Sequence, residues 1–215
     1  MIIRWLGHSC FLITAQDGRT WLSDPFDSTV GYPVPCVSAD VVTCSHKHSD
    51  HHATGALPAG FTLVDQPGVH HARGLVIEGI ASFHDDQLGT VRGGNIIYVT
   101  EVDALRVAHL GDLGHQLSKS QLEKLGEVDL LLTPVGGYYT IDGEGAGQLT
   151  RALKPRVAVP MHYMTRELDA ERFAGVSDER GFVEQFEHAY LDGDELKITR
   201  ETIGDYPQVV VLTRG

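Results

Sequence analysis

His46-Lys47-His48-Ser49-Asp50-His51 sets three imidazoles and one carboxylate within six residues, directly after the apolar run Val41-Val42-Thr43-Cys44. So polar a cluster is poor material for a core. Neutral imidazole nitrogens and carboxylate oxygens suit zinc, and also iron or manganese. The spacing has a geometric reason. Side chains two apart on an extended chain project to the same side, so His46 and His48 can grip one ion. Asp50 and His51 follow in the turn, where the chain can swing them toward a second. With 12 His in 215 residues, chance would supply this pattern roughly 0.003 times, which separates it from a solvated His-rich loop.

The chain around it is sized for one globular domain, expected over residues 1–215. It is 42% hydrophobic and 21% charged, ordinary values for a chain with a sizeable core. The net charge of −12 leaves no basic excess to displace counterions from nucleic acid. Two divalent ions would offset that charge locally and admit an anionic substrate. Cys10, Cys36 and Cys44 are odd in number and show no C-x-x-C spacing, so a reducing cytoplasm fits better than a disulfide framework. The first residues do not read as a signal peptide, and no run of 18 apolar residues occurs, so no membrane span is expected.

Short apolar runs bounded by Gly, Asp and Pro predict strands over 2–6, 10–14, 20–23, 41–44, 62–64, 75–80, 95–100, 105–109, 130–133, 157–160, 195–199 and 209–212. Helical signals are fewer. Ser118-x-x-Gln121 reads as a capping box for a helix that ends at Gly126. Asp142 is placed to cap a helix through Leu153, stopped by Pro155. Ser177 is expected to open a third, carrying Phe182, Val183 and Phe186. The charged segment 165–180 reads as a mobile or inserted region. Many strands with a few helices between them suggest stacked sheets covered by helices.

A two-metal site needs ligands from elsewhere, and three strand ends offer them. His84 follows Ile80-Ala81-Ser82-Phe83, Asp112 follows His109-Leu110-Gly111, and His162 follows Val157-Ala158-Val159-Pro160-Met161. Rigid strands can present such ends to a common edge. Each alone is an ordinary surface or turn residue; their weight is joint. His8, in Gly7-His8-Ser9, is either a proton donor in the site or a hydrogen-bonded strand-end residue. His52, His70, His71, His115 and His188 read as surface or loop residues. Gly136-Gly137-Tyr138-Tyr139-Thr140 is either a pocket wall or a turn. No Walker or G-x-G-x-x-G pattern supports nucleotide binding.

With Trp5-Leu6-Gly7-His8-Ser9-Cys10-Phe11, Ser23-Asp24-Pro25, Pro134-Val135-Gly136-Gly137 and Pro160-Met161-His162-Tyr163 beside the His cluster, the chain resembles the metallo-β-lactamase superfamily of metal-dependent hydrolases. It looks most like the short zinc-dependent hydrolases related to the L-ascorbate-6-phosphate lactonases. The resemblance implies an α/β fold, a four-layer αβ/βα sandwich of two mixed β-sheets flanked by helices. It implies two divalent ions, zinc first, with Mn2+ or Fe2+ as alternatives. His46, His48 and His84 would hold one ion, Asp50, His51 and His162 the other, and Asp112 would bridge them. Asp24 would order the cluster, and His109 would support Asp112 without ligating. His84-Asp85-Asp86 departs from the superfamily's commoner Thr-Pro-Gly-type continuation, which leaves His84 and His109 competing for the last place on the first ion. His at position 48, where the redox-active flavo-diiron branch has Glu, favours hydrolysis.

The expected reaction is metal-assisted attack of water on a small ester, lactone or phosphoester, with Asp50 and Asp112 positioning the water and His8 donating a proton to the leaving group. Tyr138 and Tyr163 are expected to contact the substrate. Only Lys47 and Arg166 lie beside the motifs, so the metals rather than a basic cleft would recognise a small anion. A nuclease and a non-enzymatic metal-binding sensor or scaffold are the alternatives. Acidity counts against the first, and the full ligand set against the second.

Overall fold

The computed structural model describes residues 1–214. Every run expected to be extended is a strand, and the structure has fourteen strands in all among the described residues. They are β1 (Ile2–Gly7), β2 (Cys10–Thr14), β3 (Thr20–Ser23), β4 (Val41–Thr43), β5 (Thr62–Val64), β6 (Gly68–Ala72), β7 (Leu75–Phe83), β8 (Gly94–Val102), β9 (Leu105–His109), β10 (Leu130–Pro134), β11 (Val157–Met161), β12 (His188–Leu191), β13 (Glu195–Lys197) and β14 (Val209–Leu212). Two of these, β6 and β12, have no counterpart among the expected runs. They are the two edges of the larger sheet. Edge strands bury little, and His70, His71, His188 and Ala189 carry no apolar alternation to read.

The strands form two mixed sheets. The six-stranded one runs β13-β1-β2-β3-β4-β5, antiparallel from β13 to β3 and parallel from β3 to β5. The eight-stranded one runs β12-β14-β11-β10-β9-β8-β7-β6, parallel from β12 to β9 and antiparallel beyond. Strand chemistry follows position. In β1, Ile3 and Trp5 are buried while Ile2 and Arg4 are exposed, as in a sheet with one wet face. Central β10, Leu130-Leu131-Leu132-Thr133-Pro134, is buried throughout, as a parallel strand covered on both faces must be. One apolar cluster joins the sheets, with Phe11, Ile13 and Trp21 from the smaller and Ile77, Ile97 and Tyr98 from the larger. The Tyr98 hydroxyl crosses between them, its one proton shared between the carbonyls of Cys44 and Val64 at 3.1 and 3.0 Å.

The α-helices all lie in connections of the larger sheet; 3-10 turns replace them in the parallel connections of the smaller one. α1 (Lys119–Leu125) carries the full capping box of Ser118 and Gln121 and stops at Gly126. α2 (Gly143–Leu153) is capped by Asp142, whose side chain accepts from the Gly145 amide, and ends on Lys154 in the left-handed region. α3 is a single turn, Arg180–Val183. Ser177 does not open it: the N-cap is Glu179, and the Ser177 amide donates to the Gly136 carbonyl. Segment 165–180 is not a loose insert. Leu168, Phe173 and Val176 are buried, and the Asp169 amide donates to Val30. Their spacing fits neither a strand nor a helix, so the anchoring was hidden by the charged residues between them. Among the described residues no helix is long and apolar enough to cross a membrane.

This topology fixes where chemistry can occur. Strands β1, β3 and β4 run parallel, as do β7, β9 and β11. Their C-terminal ends release His8, Asp24 and 46–51 from the smaller sheet, and His84, Asp112 and His162 from the larger, onto one shared edge.

Candidate metal centre

Asp24 is the anchor from which the cluster is built. It is fully buried, and its carboxylate accepts from the Ser45 amide at 2.8 Å, the Ser45 hydroxyl at 2.6 Å and His51 Nδ1 at 2.9 Å. These contacts decide tautomers by elimination. The single hydroxyl proton of Ser45 goes to Asp24, so Ser45 Oγ can only accept from His46 Nδ1, 2.9 Å away. His51 donates through Nδ1 to Asp24, and His84 through Nδ1 to the Tyr139 carbonyl at 3.1 Å. Each of these rings therefore turns Nε2 inward, where its neutral form offers a lone pair.

The lone pairs converge on Asp112. Its Oδ2 lies 3.1 Å from His51 Nε2, 3.2 Å from His162 Nε2, 3.3 Å from His84 Nε2 and 3.9 Å from His46 Nε2. His48 Nδ1 sits 3.0 Å from His46 Nε2 and is the exposed member of the group. Lone pairs aimed at a carboxylate oxygen repel unless a cation stands among them, so this donor set fits divalent metal. The buried atoms left without a hydrogen-bond partner include His51 Nε2, Asp112 Oδ1 and His162 Nδ1. The potential ligand groups are His46, His48 and His84; His46, His51 and Asp112; and His8, Asp50, His51 and His162.

Local backbone serves this convergence. Asp112 takes its place through its amide, which donates to Asn95 Oδ1, while Asn95 Nδ2 reaches the Leu110 carbonyl. Only glycine suits position 111: φ is +56°, and a Cβ there would lie 2.4 Å from Asn95 Oδ1. His8, Asp24 and His162 hold φ of 52°, 43° and 52° without being glycine. Left-handed backbone costs an L-residue roughly 1–2 kcal/mol, and such strain collects where geometry serves function.

The electrostatics follow from burial and crowding. Burial and the neighbouring His51 push His46 down to about 3. Burial and His162 do the same to His8. Burial opposes charge on Asp112 and Asp50, yet the surrounding imidazoles hold both carboxyls well below the usual range. His51 goes the other way: burial lowers it, but Asp112 and Asp50 outweigh that and raise it well above an ordinary histidine.

His84 and His109 differ in what their ring nitrogens touch. His109 is fully buried, with Nε2 donating to the Ser9 carbonyl at 2.8 Å and Nδ1 accepting from the Gly111 amide at 3.2 Å. No nitrogen remains for a metal, and the ring supports the Asp112 turn. His8 is placed beside Asp50, His51 and His162. It is buried and off the cavity lining, with its ring 4.2 Å from that of His162 and its Nε2 3.5 Å from Asp50 Oδ2.

Over the cluster opens a cavity of about 340 Å3, within the range of small-molecule sites. Its wall includes His48, Asp50, His84, Asp112 and His162, and also Arg92, Tyr139, Arg172 and Phe173. Tyr138 and Tyr163 are not on it. Tyr138 points to solvent from a left-handed turn, and its neighbour Tyr139 faces the cavity. Tyr163 is buried against Trp5, with ring centroids 5.7 Å apart. The two basic residues read beside the motifs are not the ones that reach the cavity wall. Lys47 turns away to Asp65, and Arg166 lines a different cleft, but Arg92 and Arg172 reach the wall from the loops that follow His84 and His162. Arg172 lies 3.4 Å from Asp50 and donates to Ser49 Oγ. No local sequence pattern marks these arginines; the only signal was the unusual stretch after His84.

Comparison with known proteins agrees with this geometry. A family model described as a beta-lactamase superfamily domain matches residues 2–162. A Thermotoga maritima structure, described as a Zn-dependent hydrolase of the metallo-beta-lactamase superfamily, is 37% identical with a TM-score of 0.81, covering 98% of this chain and 97% of that one. A UPF0173 metal-dependent hydrolase of Thermococcus onnurineus is 30% identical over 76% of this chain and 84% of its own length. A UPF0173 protein of Pyrococcus furiosus is 31% identical over 80% of this chain and 89% of its own.

Proposed function

Because this chain belongs to the metallo-β-lactamase superfamily, among its UPF0173 metal-dependent hydrolases, we propose that it hydrolyses a small ester, lactone or phosphoester with two divalent ions, zinc first. The observation that carries this reading is the convergence of four imidazole Nε2 atoms on Asp112 Oδ2 within 3.9 Å. His46, His48 and His84 would hold one ion, and Asp50, His51 and His162 the other, with Asp112 between them. Such ions supply Lewis-acid polarisation of the scissile centre and a water that ionises near neutral pH.

The chain's own groups do the rest. Asp24, Ser45 and the Tyr139 carbonyl hold His51, His46 and His84 in single tautomers, so no ring must turn during reaction. Asp50 reaches the cavity as an ionised carboxylate and is placed to orient the attacking water by accepting its hydrogen bond. Phe173 closes the cavity over His8 and His162 and keeps bulk water from the buried side. The cavity's size and the net charge of −12 favour a small molecule over nucleic acid. The free cysteines fit the cytoplasm.

Elemental analysis of protein purified without chelators should give about two divalent ions per chain, and metal-dependent turnover should appear on a panel of lactones, esters and phosphodiesters. Asp112→Ala should abolish that turnover while circular dichroism stays native. A metal content near zero after zinc and manganese reconstitution, or full activity in Asp112→Ala, would refute the reading. Tight single-stranded RNA binding that persists as salt is raised would favour a nuclease.

A further inference from the structure

We propose that Arg92 is the specificity-determining residue of this site, and that the substrate carries a second anionic group, remote from the bond that is cut, which pairs with its guanidinium. The inference rests on the hydrolase reading above. Both arginines of the cavity wall are cations in a strongly acidic chain, yet they are not equivalent. Arg172 is already engaged, with Asp50 at 3.4 Å, Asp27 at 4.0 Å and Ser49 Oγ at 3.3 Å. Its charge serves the carboxylate that faces the metal cluster. The Arg92 side chain makes no hydrogen bond or ion pair among the described residues; its guanidinium lies 5.5 Å above the Tyr139 ring and borders the cavity.

Arg92 is nonetheless held in place. The loop from 85 to 92 is folded around one carboxylate. Asp85 accepts from the amides of Gln87 and Gly89 at 2.8 Å, Val91 at 3.1 Å and Arg92 itself at 2.7 Å. Asp85 directly follows His84, so the loop carrying Arg92 is tied to the metal cluster with no slack between. Tyr139, under the guanidinium, is fixed at both ends. Its carbonyl holds His84, and its hydroxyl donates to the Arg172 carbonyl. An arc of Arg92, Tyr139, Phe173 and Arg172 thus spans the cavity mouth, its aromatic members 6.3 Å apart and edge to face. A guanidinium stacked on a fixed ring, with its donor fork unspent, recognises carboxylate or phosphate oxygens in pairs. The metal cluster would take the scissile group, the aromatic pair the body of the molecule, and Arg92 its remote anion.

The test compares p-nitrophenyl hexanoate with mono-p-nitrophenyl adipate on the metal-replete protein; the adipate chain is too long for the carboxylate to attack its own ester readily. The two esters share a scissile bond, and only the second carries a remote carboxylate. The wild type should prefer the adipate in kcat/KM, and Arg92→Gln should reduce that preference roughly ten- to hundredfold, the worth of one charge-assisted hydrogen bond. Arg92→Lys, which keeps the charge and loses the fork, should recover part of it. Calorimetry with succinate and with inorganic phosphate gives a readout independent of turnover and separates the two anion types. Binding of at least one should weaken tenfold or more in Arg92→Gln. Equal preference and equal anion binding in wild type and Arg92→Gln would overturn the assignment and leave the hydrolase reading intact. Absence of metal-dependent turnover on every ester would overturn that reading, while calorimetry would still decide Arg92.

Discussion

Asp24 shows how much one side chain away from the metals controls them. It fixes His51 directly and His46 through Ser45, so both Nε2 lone pairs depend on it. Asp24→Asn keeps the shape and tolerates a positive φ, but its amide nitrogen cannot accept a proton. Metal affinity should fall about 10- to 100-fold, the usual effect of losing a partner behind a ligand; competition with a chromophoric chelator measures it, and an unchanged affinity would show that the tautomers are set otherwise. His84→Ala should lose one metal equivalent by elemental analysis. His109→Ala should keep both ions and lose activity on the order of 10- to 100-fold; the reverse pattern would exchange their places. At this scale the sequence was informative where ligands cluster or end a strand. His46, His48, Asp50, His51, His84, Asp112 and His162 all stand out there. It was silent on Arg92, Arg172, Tyr139 and Phe173, because a pocket wall is assembled by tertiary contact and leaves no spacing to read. Tyr138 and Tyr163 flank the correct residues in sequence, but a left-handed turn and the stack on Trp5 send them away from the cavity.

Among elements, the legible ones are those whose burial alternates or whose caps are explicit. The buried strands and the caps at Ser118 and Asp142 declare themselves; the edges β6 and β12, half wet, do not. The loop 85–92 is the element whose integrity matters most for substrate choice. Its amides, that of Arg92 first, hold the Asp85 carboxyl at about 2, despite the opposing effect of burial. A carboxyl lowered on folding contributes stability above its unfolded value near 3.9, lost as pH falls through about 2. The loop should therefore stay closed across neutral pH and open only in strong acid. Asp85→Ala should open it at every pH. Hydrogen exchange at the amides of Gln87, Gly89, Val91 and Arg92 should accelerate, with protection in β10 and β11 unchanged. Unaltered exchange at those four amides would show that the loop is held by something else.

For the whole molecule, the metal cluster is a clasp between the two sheets. Three strand ends of the smaller sheet and three of the larger meet there, beside the shared apolar core, so bound ions act on global stability as well as chemistry. A ligand bound only by the folded state stabilises it by RT ln(1 + [L]/Kd), about 4 kcal/mol at a thousandfold excess over Kd. For a chain of this size that is roughly 8–16 °C of melting temperature. Chelation should lower the melting temperature by that order, and zinc should restore it. The effect should also grow with pH. In metal-free protein, Asp112 and Asp50 overcome the effect of burial and raise His51 well above 6.5. A group raised on folding gives its full stabilisation below 6.5 and loses it as pH climbs toward the folded value. His46 and His8, lowered to about 3, have a flat contribution above 6.5. Between pH 6.5 and 8.5 the metal-free form therefore weakens through His51, while protons cease to compete with metal for the imidazoles. Thermal unfolding with and without chelator at those two pH values should show the larger gap at 8.5. Asp112→Ala should show little gap at either. A wild-type gap that is absent, or larger at pH 6.5, would mean that the cluster does not tie the sheets together through bound metal.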